Sequence, residues 1–407
     1  MKLKVYLNMY GKRQEVGLLY EEQNRMFFEY SKDFISTGIE ISPFKLPLKS
    51  GVYEERKIFF DGLFGVFNDS LADGWSRLLI DRKLRQKGLP LNRITPLMRL
   101  SLIGKNSMGA LEYEPADESS IINFENINLD SLSEEIKKVF NSDEYIFDEL
   151  RLLNGSSGEA RPKIIVNISD DKKEISYGTS NKTNNTSEWI IKFPTKYDLK
   201  NKGEIEYLNS LAAKEAGINM PETYLFKSKK CKGYFGVKRF DRSNSGKVHV
   251  HTVCGLLQSS YSILQVIRFL NARYGLPHAS HLINSIDYEK ILKLTLTLTK
   301  DESQLIEMVR RMVFNVKTFN CDDNSKNFAF LIDENKKWKL APAYDLTPSA
   351  GNNGEHTSTV NGKGKDISDS DLIFAAEQAG VKKAIVQEII YQVEQAIAKF
   401  KLDQFFR

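Results

Sequence analysis

The sequence predicts an α+β chain: a small α+β domain first, a strand-bearing lobe next, and an α-rich last part. Three observations predict it. Short runs rich in β-branched and aromatic residues recur up to about residue 248. From about residue 249 apolar residues recur at helical spacing. The chain has 407 residues, more than one hydrophobic core usually organises, which sets a prior of two to three domains.

Residues 1–117 form the first expected domain. Strands are predicted at Lys4–Leu7, Val16–Tyr20 and Met26–Tyr30, then a helix after Trp75. Arg77, Arg82, Lys83, Arg85 and Lys87 cluster there and read as the solvated face of a helix that carries Leu78, Leu79, Ile80 and Leu84. Residues 118–153 are acidic and Asn/Ser-rich, a connector with one helix, Leu132–Phe140. Residues 154–248 are expected to form the strand-bearing lobe, with strands at Ile164–Val166 and Glu188–Phe193 and a helix that opens at Gly203 and stops at Gly217. Between those strands, 169–187 is a polar hairpin or mobile loop with almost nothing to bury. Residues 249–407 form the α-rich lobe. Its expected helices are Leu256–Tyr274, Tyr288–Thr297, Glu302–Phe319, Asp371–Ala379 and Lys382–Phe400, interrupted by a hairpin after Asn327. Residues 350–365, with four Gly and three Asn, read as a flexible stretch.

Composition narrows the class. Hydrophobic residues at 41% and charged residues at 27% are ordinary globular values. No run reaches the roughly 18 apolar residues that span a bilayer, and the opening Met1-Lys2-Leu3-Lys4-Val5-Tyr6 shows no signal-peptide core. Cys231, Cys254 and Cys321 are odd in number and widely spaced, which fits a reducing cytoplasm rather than a disulfide framework. A net charge of +5 is modest for direct sequence-specific DNA binding. His249-x-His251 with Cys254 lacks a fourth ligand for zinc. Cys321 has no His near it in the sequence, so a thiol nucleophile is not expected.

The chemistry-bearing stretch is Asn320-Cys321-Asp322-Asp323-Asn324-Ser325-Lys326-Asn327. An Asp followed after four residues by an Asn is the spacing of a protein-kinase catalytic loop, where the Asp takes the hydroxyl proton and the Asn holds magnesium. The hairpin that follows delivers Asp345, a second acid where a kinase places its metal-binding Asp. The same Asp, Asn and Ser residues also suit an ordinary turn, because their side chains bond their own backbone. Upstream, Ile190-Ile191-Lys192-Phe193-Pro194 embeds a lysine in an apolar strand, as a kinase does for its phosphate-binding lysine. Glu206 lies in the first turns of the next helix, where it could orient Lys192 or simply favour the helix dipole. Gly155-Ser156-Ser157-Gly158-Glu159-Ala160-Arg161-Pro162-Lys163 places small residues before a strand, suiting either a phosphate-cradling loop or a linker. Gly236 to Arg242 is expected to be the extended segment that meets adenine with backbone groups.

Taken in this order, with Pro342-Ala343-Tyr344-Asp345-Leu346-Thr347-Pro348 at the end, these motifs resemble the HipA family of serine/threonine kinase toxins. Gly62 to Leu79, containing Asn68-Asp69-Ser70-Leu71-Ala72-Asp73-Gly74-Trp75, resembles that family's N-terminal signature. The resemblance spans nearly the whole chain. It implies a protein-kinase-like two-lobed fold, with a β-containing N-terminal lobe, an extra N-terminal α+β domain and an α-rich C-terminal lobe. ATP and Mg²⁺ would be the cofactors and a protein the substrate, in known members often an aminoacyl-tRNA synthetase. A helix-turn-helix antitoxin would be the partner, with DNA met mainly through it and no membrane contact. By position, Asp322 would be the base, with Lys326 and Asn327 beside it in the catalytic loop. Asn327 and Asp345 would hold the metal. Ser156, Ser157, Gly158, Lys163, Lys192 and Glu206 would serve the phosphates. Lys238 and Phe240 would flank adenine, and Asp241 would lie near the ribose. Ser156, or alternatively Ser157, would be the autophosphorylated serine.

Two departures stand out. Family members commonly carry His two residues after the catalytic Asp, whereas this chain has Asn324, which cannot titrate near neutrality. The phosphate loop carries Glu159, which would have to point away from ATP. Both departures favour the alternative of a catalytically weak kinase-fold scaffold bound to a DNA-binding antitoxin. A small-molecule kinase is the other enzymatic alternative.

Overall fold

A computed structural model of the chain describes all residues except 56–58, 72–73, 117–125, 142–160, 178–184, 196–197, 259–285, 352 and 406–407. The chain divides into two compact units, Met1–Tyr207 with Pro221–Val250, and Leu208–Met220 with His251–Arg407. The first therefore takes in the N-terminal domain expected at 1–117 and the strand lobe expected at 154–248 apart from Leu208–Met220, which fall in the second unit.

The first sheet of the first unit contains β1 (Lys2–Met9), β2 (Lys12–Glu22), β3 (Arg25–Tyr30), β4 (Val52–Glu55) and β5 (Leu111–Glu114), in the antiparallel order β4-β3-β2-β1-β5. Its one-sided core follows from period-two alternation: Leu3, Val5, Leu7 and Met9 of β1 all point inward. Gly17 in β2 is required by close approach, since a Cβ there would lie 2.1 Å from the Glu29 carbonyl oxygen. The helix Gly74–Gln86 buries Trp75, Leu79, Ile80 and Leu84. Arg82 corrects the expected solvated face. It lies three residues after Leu79 on the buried stripe, and its Nη1 donates to the Val139 carbonyl at 2.9 Å. That carbonyl belongs to the last turn of the helix Leu129–Asn141 and has no partner within its own helix.

The second sheet holds β6 (Lys163–Ser169), β7 (Ile175–Ser176), β8 (Thr186–Lys192), β9 (Thr223–Phe226) and β10 (Tyr234–Lys238), in the order β7-β6-β8-β10-β9. Six consecutive residues of β6, Lys163 to Ile168, are buried, as in a strand covered on both faces. One core joins Ile164, Val166, Trp189 and Ile191 of this sheet to Leu132, Ile136 and Val139 of the helix Leu129–Asn141 and to Trp75 and Leu79. The described helix of the stretch expected to connect two domains is thus packed into the first unit.

The second unit is built around a core that includes Met308, Val309, Met312, Val313 and Phe314 of the helix Glu302–Lys317. Around it stand the helices Tyr288–Thr299, Asp369–Gln378 and Lys383–Lys399 and the hairpin Ala329–Ile332/Trp338–Leu340. Caps explain the boundaries. The Asp287 side chain accepts from Lys290 N, and Ser368 with Asp371 forms a capping box. That box starts the latter helix two residues before the expected Asp371. The helix expected at Leu256–Tyr274 is seen as Val253–Leu257, ended by Gln258 in the left-handed region; its remainder lies outside the described residues. Gly217, with φ of +82°, follows the end of the helix Lys202–Glu215, as its sequence position predicts. No described helix is long and apolar enough to cross a membrane. All three cysteines are free.

Candidate functional site

In the first unit Lys192 ends β8 as a buried lysine, 8% exposed. Its Nζ donates to Glu206 Oε1 at 2.5 Å. Two adjacent charges out of water are costly unless they are paired this closely. Lys163 stands directly opposite Lys192 across the β6–β8 ladder and is also buried. Opposite residues in an antiparallel pair share a face, so two ammonium groups lie on one face of the sheet. Lys202 opens the helix that carries Glu206. Burial first, then the positive Arg161 nearby, holds its ammonium pKa below the usual lysine value. Arg161 in turn pairs with Asp198 at 3.3 Å. Four cations and two acids, Asp198 and Glu206, make this end of the sheet attractive to an anion. Ser156, Ser157, Gly158 and Glu159 lie outside the described residues.

Lys238 ends β10 and donates its backbone N–H to Glu222 O at 2.9 Å, so its carbonyl, not its N–H, is the group that could meet a base. Phe240 follows in a turn. The Asp241 side chain is fully buried, and both of its oxygens are engaged by protein donors. Oδ2 accepts from Gly109 N, Arg239 Nη2 and Arg242 Nη1 at 2.7, 2.7 and 2.8 Å, and Oδ1 accepts from Arg239 Nε at 2.9 Å. Burial opposes its ionisation, but the two guanidinium groups outweigh burial and hold the carboxyl well below the usual range. Asp241 is a clamp between the strand lobe and the 107–109 turn of the N-terminal domain.

In the second unit the loop after Asn320 is shaped by its own side chains. Asp322 is exposed. Asn324 accepts from Lys326 N at 3.0 Å and donates to Asp322 Oδ1 at 2.9 Å. Asn327 Nδ2 donates to the Asp322 carbonyl at 2.7 Å. Tyr344 donates to Lys326 O at 2.5 Å and so ties the loop to the extended segment that carries Asp345. Asp345 has φ of +55°, a left-handed conformation that Asp tolerates better than most residues. Its carbonyl accepts from Asn320 Nδ2 at 3.0 Å. Ala343 N donates to Asn219 O at 2.8 Å, and Asn219 N to Glu307 Oε1 at 3.0 Å, bracing that segment.

Asn327 and Asp345 offer the oxygen donors that a hard cation takes. The Asn327 amide nitrogen is occupied by the Asp322 carbonyl, which leaves its Oδ1 as an oxygen donor, and Asp345 adds a carboxylate. Magnesium characteristically takes one or two protein oxygens together with phosphate and water. No group of three or more His, Cys, Asp or Glu among the described residues could hold a metal. His249 Nε2 bonds instead with the Ile41 carbonyl at 2.9 Å, and the His251 ring lies 6.5 Å from the Trp338 ring.

Three residues escaped the sequence reading. Asp323 is fully buried beneath Asp322. His356 Nδ1 lies 2.9 Å from Asp323 Oδ2. Burial opposes the charged ring, but hydrogen bonds to Asp323 and Cys321 outweigh it and lift its pKa to about 9. Cys321 therefore does have a histidine beside it, supplied from 35 residues downstream, although the thiol is itself buried. Ser358 donates from its N–H to Asp323 Oδ1 at 3.0 Å and from Oγ to the Asp323 carbonyl at 2.5 Å. The stretch expected to be flexible thus holds the loop: Thr357 N and Oγ1 both reach the Cys321 carbonyl at 3.0 Å.

A family described as the HipA-like C-terminal domain matches residues 155–400, and one described as the HipA N-terminal domain matches residues 7–114. The chain belongs to the HipA family. A solved HipA shares the fold, from a structure titled Shewanella oneidensis MR-1 Toxin Antitoxin System HipA, HipB and its operator DNA complex. It has 17% identity and a TM-score of 0.68, covering 98% of this chain and 91% of that one. A curated relative from Sinorhizobium fredii, named "Putative kinase Y4dM", is 24% identical over 214 residues, which span 49% of this chain and 47% of the relative. The chain thus spans about half the length of that relative.

Proposed function

We propose that this HipA-family chain is an ATP- and magnesium-dependent protein serine/threonine kinase with a two-lobed kinase-like arrangement, acting as the toxin of a toxin–antitoxin pair. The observation that carries the reading is the buried Lys192–Glu206 pair at 2.5 Å, on a strand and the helix that follows it. Protein kinases require this pair to hold the α- and β-phosphates. Lys163 beside Lys192 adds charge for the same anion. Lys192 and Lys163 bind phosphate oxygens, and Glu206 keeps Lys192 from swinging away. Asp322, with its carboxylate turned by Asn324, takes the proton of the attacking hydroxyl as the γ-phosphoryl passes from ATP to that oxygen and ADP leaves. Asn327 and Asp345 would hold magnesium, which when bound neutralises charge developing on the phosphates. Ser156, with Ser157 as the alternative, is the proposed autophosphorylation site, and an aminoacyl-tRNA synthetase is a proposed substrate.

The named HipB and operator DNA in the solved relative support a small DNA-binding antitoxin as partner, with DNA reached mainly through it. The scaffold alternative loses one support, because Asn324 already supplies the hydrogen bond that orients Asp322.

The test is intact mass and peptide mapping of the purified chain before and after incubation with ATP and magnesium, with Asp322→Asn alongside. One added phosphate in the peptide containing Ser156 and Ser157, absent in Asp322→Asn, is expected. A fully active Asp322→Asn would sink the assignment.

A further inference from the structure

We propose that His356, acting through Asp323, is a positioning residue of the catalytic loop; the inference rests on the phosphotransfer reading above. Asp323 is fully buried next to the exposed Asp322. Its Oδ2 accepts from the Tyr288 hydroxyl and from His356 Nδ1, both at 2.9 Å. Its Oδ1 and its backbone carbonyl are held by Ser358. The network continues beyond Tyr288. Asn315 Nδ2 donates to the Tyr288 hydroxyl at 3.0 Å, and Asn320 Nδ2 donates to Asn315 Oδ1 at 2.9 Å. Asn320 Nδ2 also donates to the Asp345 carbonyl. A continuous run of side chains therefore passes from His356, under the catalytic loop, to the backbone of Asp345.

The geometry explains why the ring acts on chemistry it does not touch. Asp322 and Asp323 are consecutive. Fixing the side chain and the carbonyl of Asp323 fixes the peptide from which the Asp322 carboxylate projects. A buried carboxylate is stable only when its oxygens are bonded and a counter-charge is near. Among the groups bonded to Asp323 in the described residues, the His356 ring is the one able to carry positive charge. The titratable groups facing that ring are the Asp323 carboxylate and the Cys321 thiol, with the Tyr288 hydroxyl on the far side of the carboxylate. Without the ring, the carboxylate loses a bond and its counter-charge together, and the loop is free to shift. A displacement of about 1 Å in a reacting group lowers a rate by about 100-fold.

The experiment measures autophosphorylation and ADP release by the full chain with ATP and magnesium, for wild type, His356→Ala and His356→Asn. Asparagine puts an amide donor close to the place of Nδ1. His356→Ala is expected to lower kcat about 10- to 100-fold, with KM for ATP within about threefold of wild type. His356→Asn recovers most of the loss. Above about pH 9 the wild-type kcat falls while that of His356→Asn does not. A wild-type kcat in His356→Ala overturns the inference, as does a folded His356→Asn that is as slow as the alanine variant. Should His356→Ala fail to fold, Tyr288→Phe removes one bond to the same carboxylate without opening a cavity. It is expected to lower kcat about 3- to 10-fold, and a wild-type rate there overturns the inference equally. A wild-type chain that binds ATP and magnesium but transfers no phosphate overturns the phosphotransfer reading itself, a distinct outcome.

Discussion

Replacing Asp241 separates a structural clamp from a ribose ligand. Asp241→Asn keeps the volume but removes one of two acids that neutralise two arginines, Arg239 buried and Arg242 half-buried. The other acid is Glu188, whose Oε2 accepts from Arg239 Nη1 at 3.2 Å and from Arg242 Nε at 3.1 Å. After substitution, two guanidinium groups face a single carboxylate, and one amide nitrogen points at a donor. Breaking a buried ion pair by removing one partner costs about 3–5 kcal/mol. A natural domain holds about 5–15 kcal/mol in all, so the loss is about a fifth or more of the total. At a urea slope of ~2 kcal/mol per molar, the midpoint moves down by about 1.5–2.5 M. The assay is equilibrium unfolding followed by tryptophan fluorescence in a Trp338→Phe background, which leaves the buried Trp75 and Trp189 as reporters of the first unit. Nucleotide affinity is measured on the same protein while it is folded. A wild-type urea midpoint combined with a tenfold or greater loss of ATP affinity (~1.4 kcal/mol) would refute the clamp and return Asp241 to the ribose.

Two further outcomes follow from the same geometry. Glu206→Gln removes the charge that pins Lys192; losing a charge-assisted bond of about 1.5–3 kcal/mol lowers phosphotransfer about 10- to 100-fold, read as kcat/KM for ATP. The His356–Asp323 pair gives a pH dependence of stability with a fixed sign. The ring's pKa is raised from 6.5 to about 9 on folding, so its contribution is fully present below 6.5 and is lost as pH rises through about 9. At ~1.36 kcal/mol per pH unit the contribution approaches about 3 kcal/mol. It is read as the difference in urea midpoint between wild type and His356→Asn at pH 6 and at pH 9.5, and a constant difference across that range would contradict the pairing.

The legible parts of this chain were those governed by local rules. Alternation in Leu3, Val5, Leu7 and Met9 announces β1, and Gly217 announces the end of the helix carrying Glu206. Lys192 could be singled out because a lysine inside Ile190-Ile191-Lys192-Phe193 conflicts with burial unless it has a partner, and Glu206 lies in the first turns of the next predicted helix. Other features depend on pairing at long range, which no local window contains. Asp241 meets Gly109 from 132 residues away. Arg82 meets the Val139 carbonyl from 57 residues away, so a basic residue in a basic cluster becomes part of a core. His356 sits in a Gly/Asn-rich stretch whose composition signals only freedom; its bond to Asp323 spans 33 residues.

The Asn324 departure can then be argued from geometry rather than counted against activity. A neutral imidazole offers one donor and one acceptor. Asn324 uses one of each, accepting from Lys326 N and donating to Asp322 Oδ1. What the substitution removes from the exposed side of the loop is the capacity to titrate there. A titrating ring is present on the buried side instead, at His356, where it faces Asp323 and not Asp322. The orientation of the proposed base is thereby separated from the charge that secures its loop. Substitutions at 324 should therefore act on the direction of the Asp322 carboxylate, whereas substitutions at 356 act on the position of its backbone.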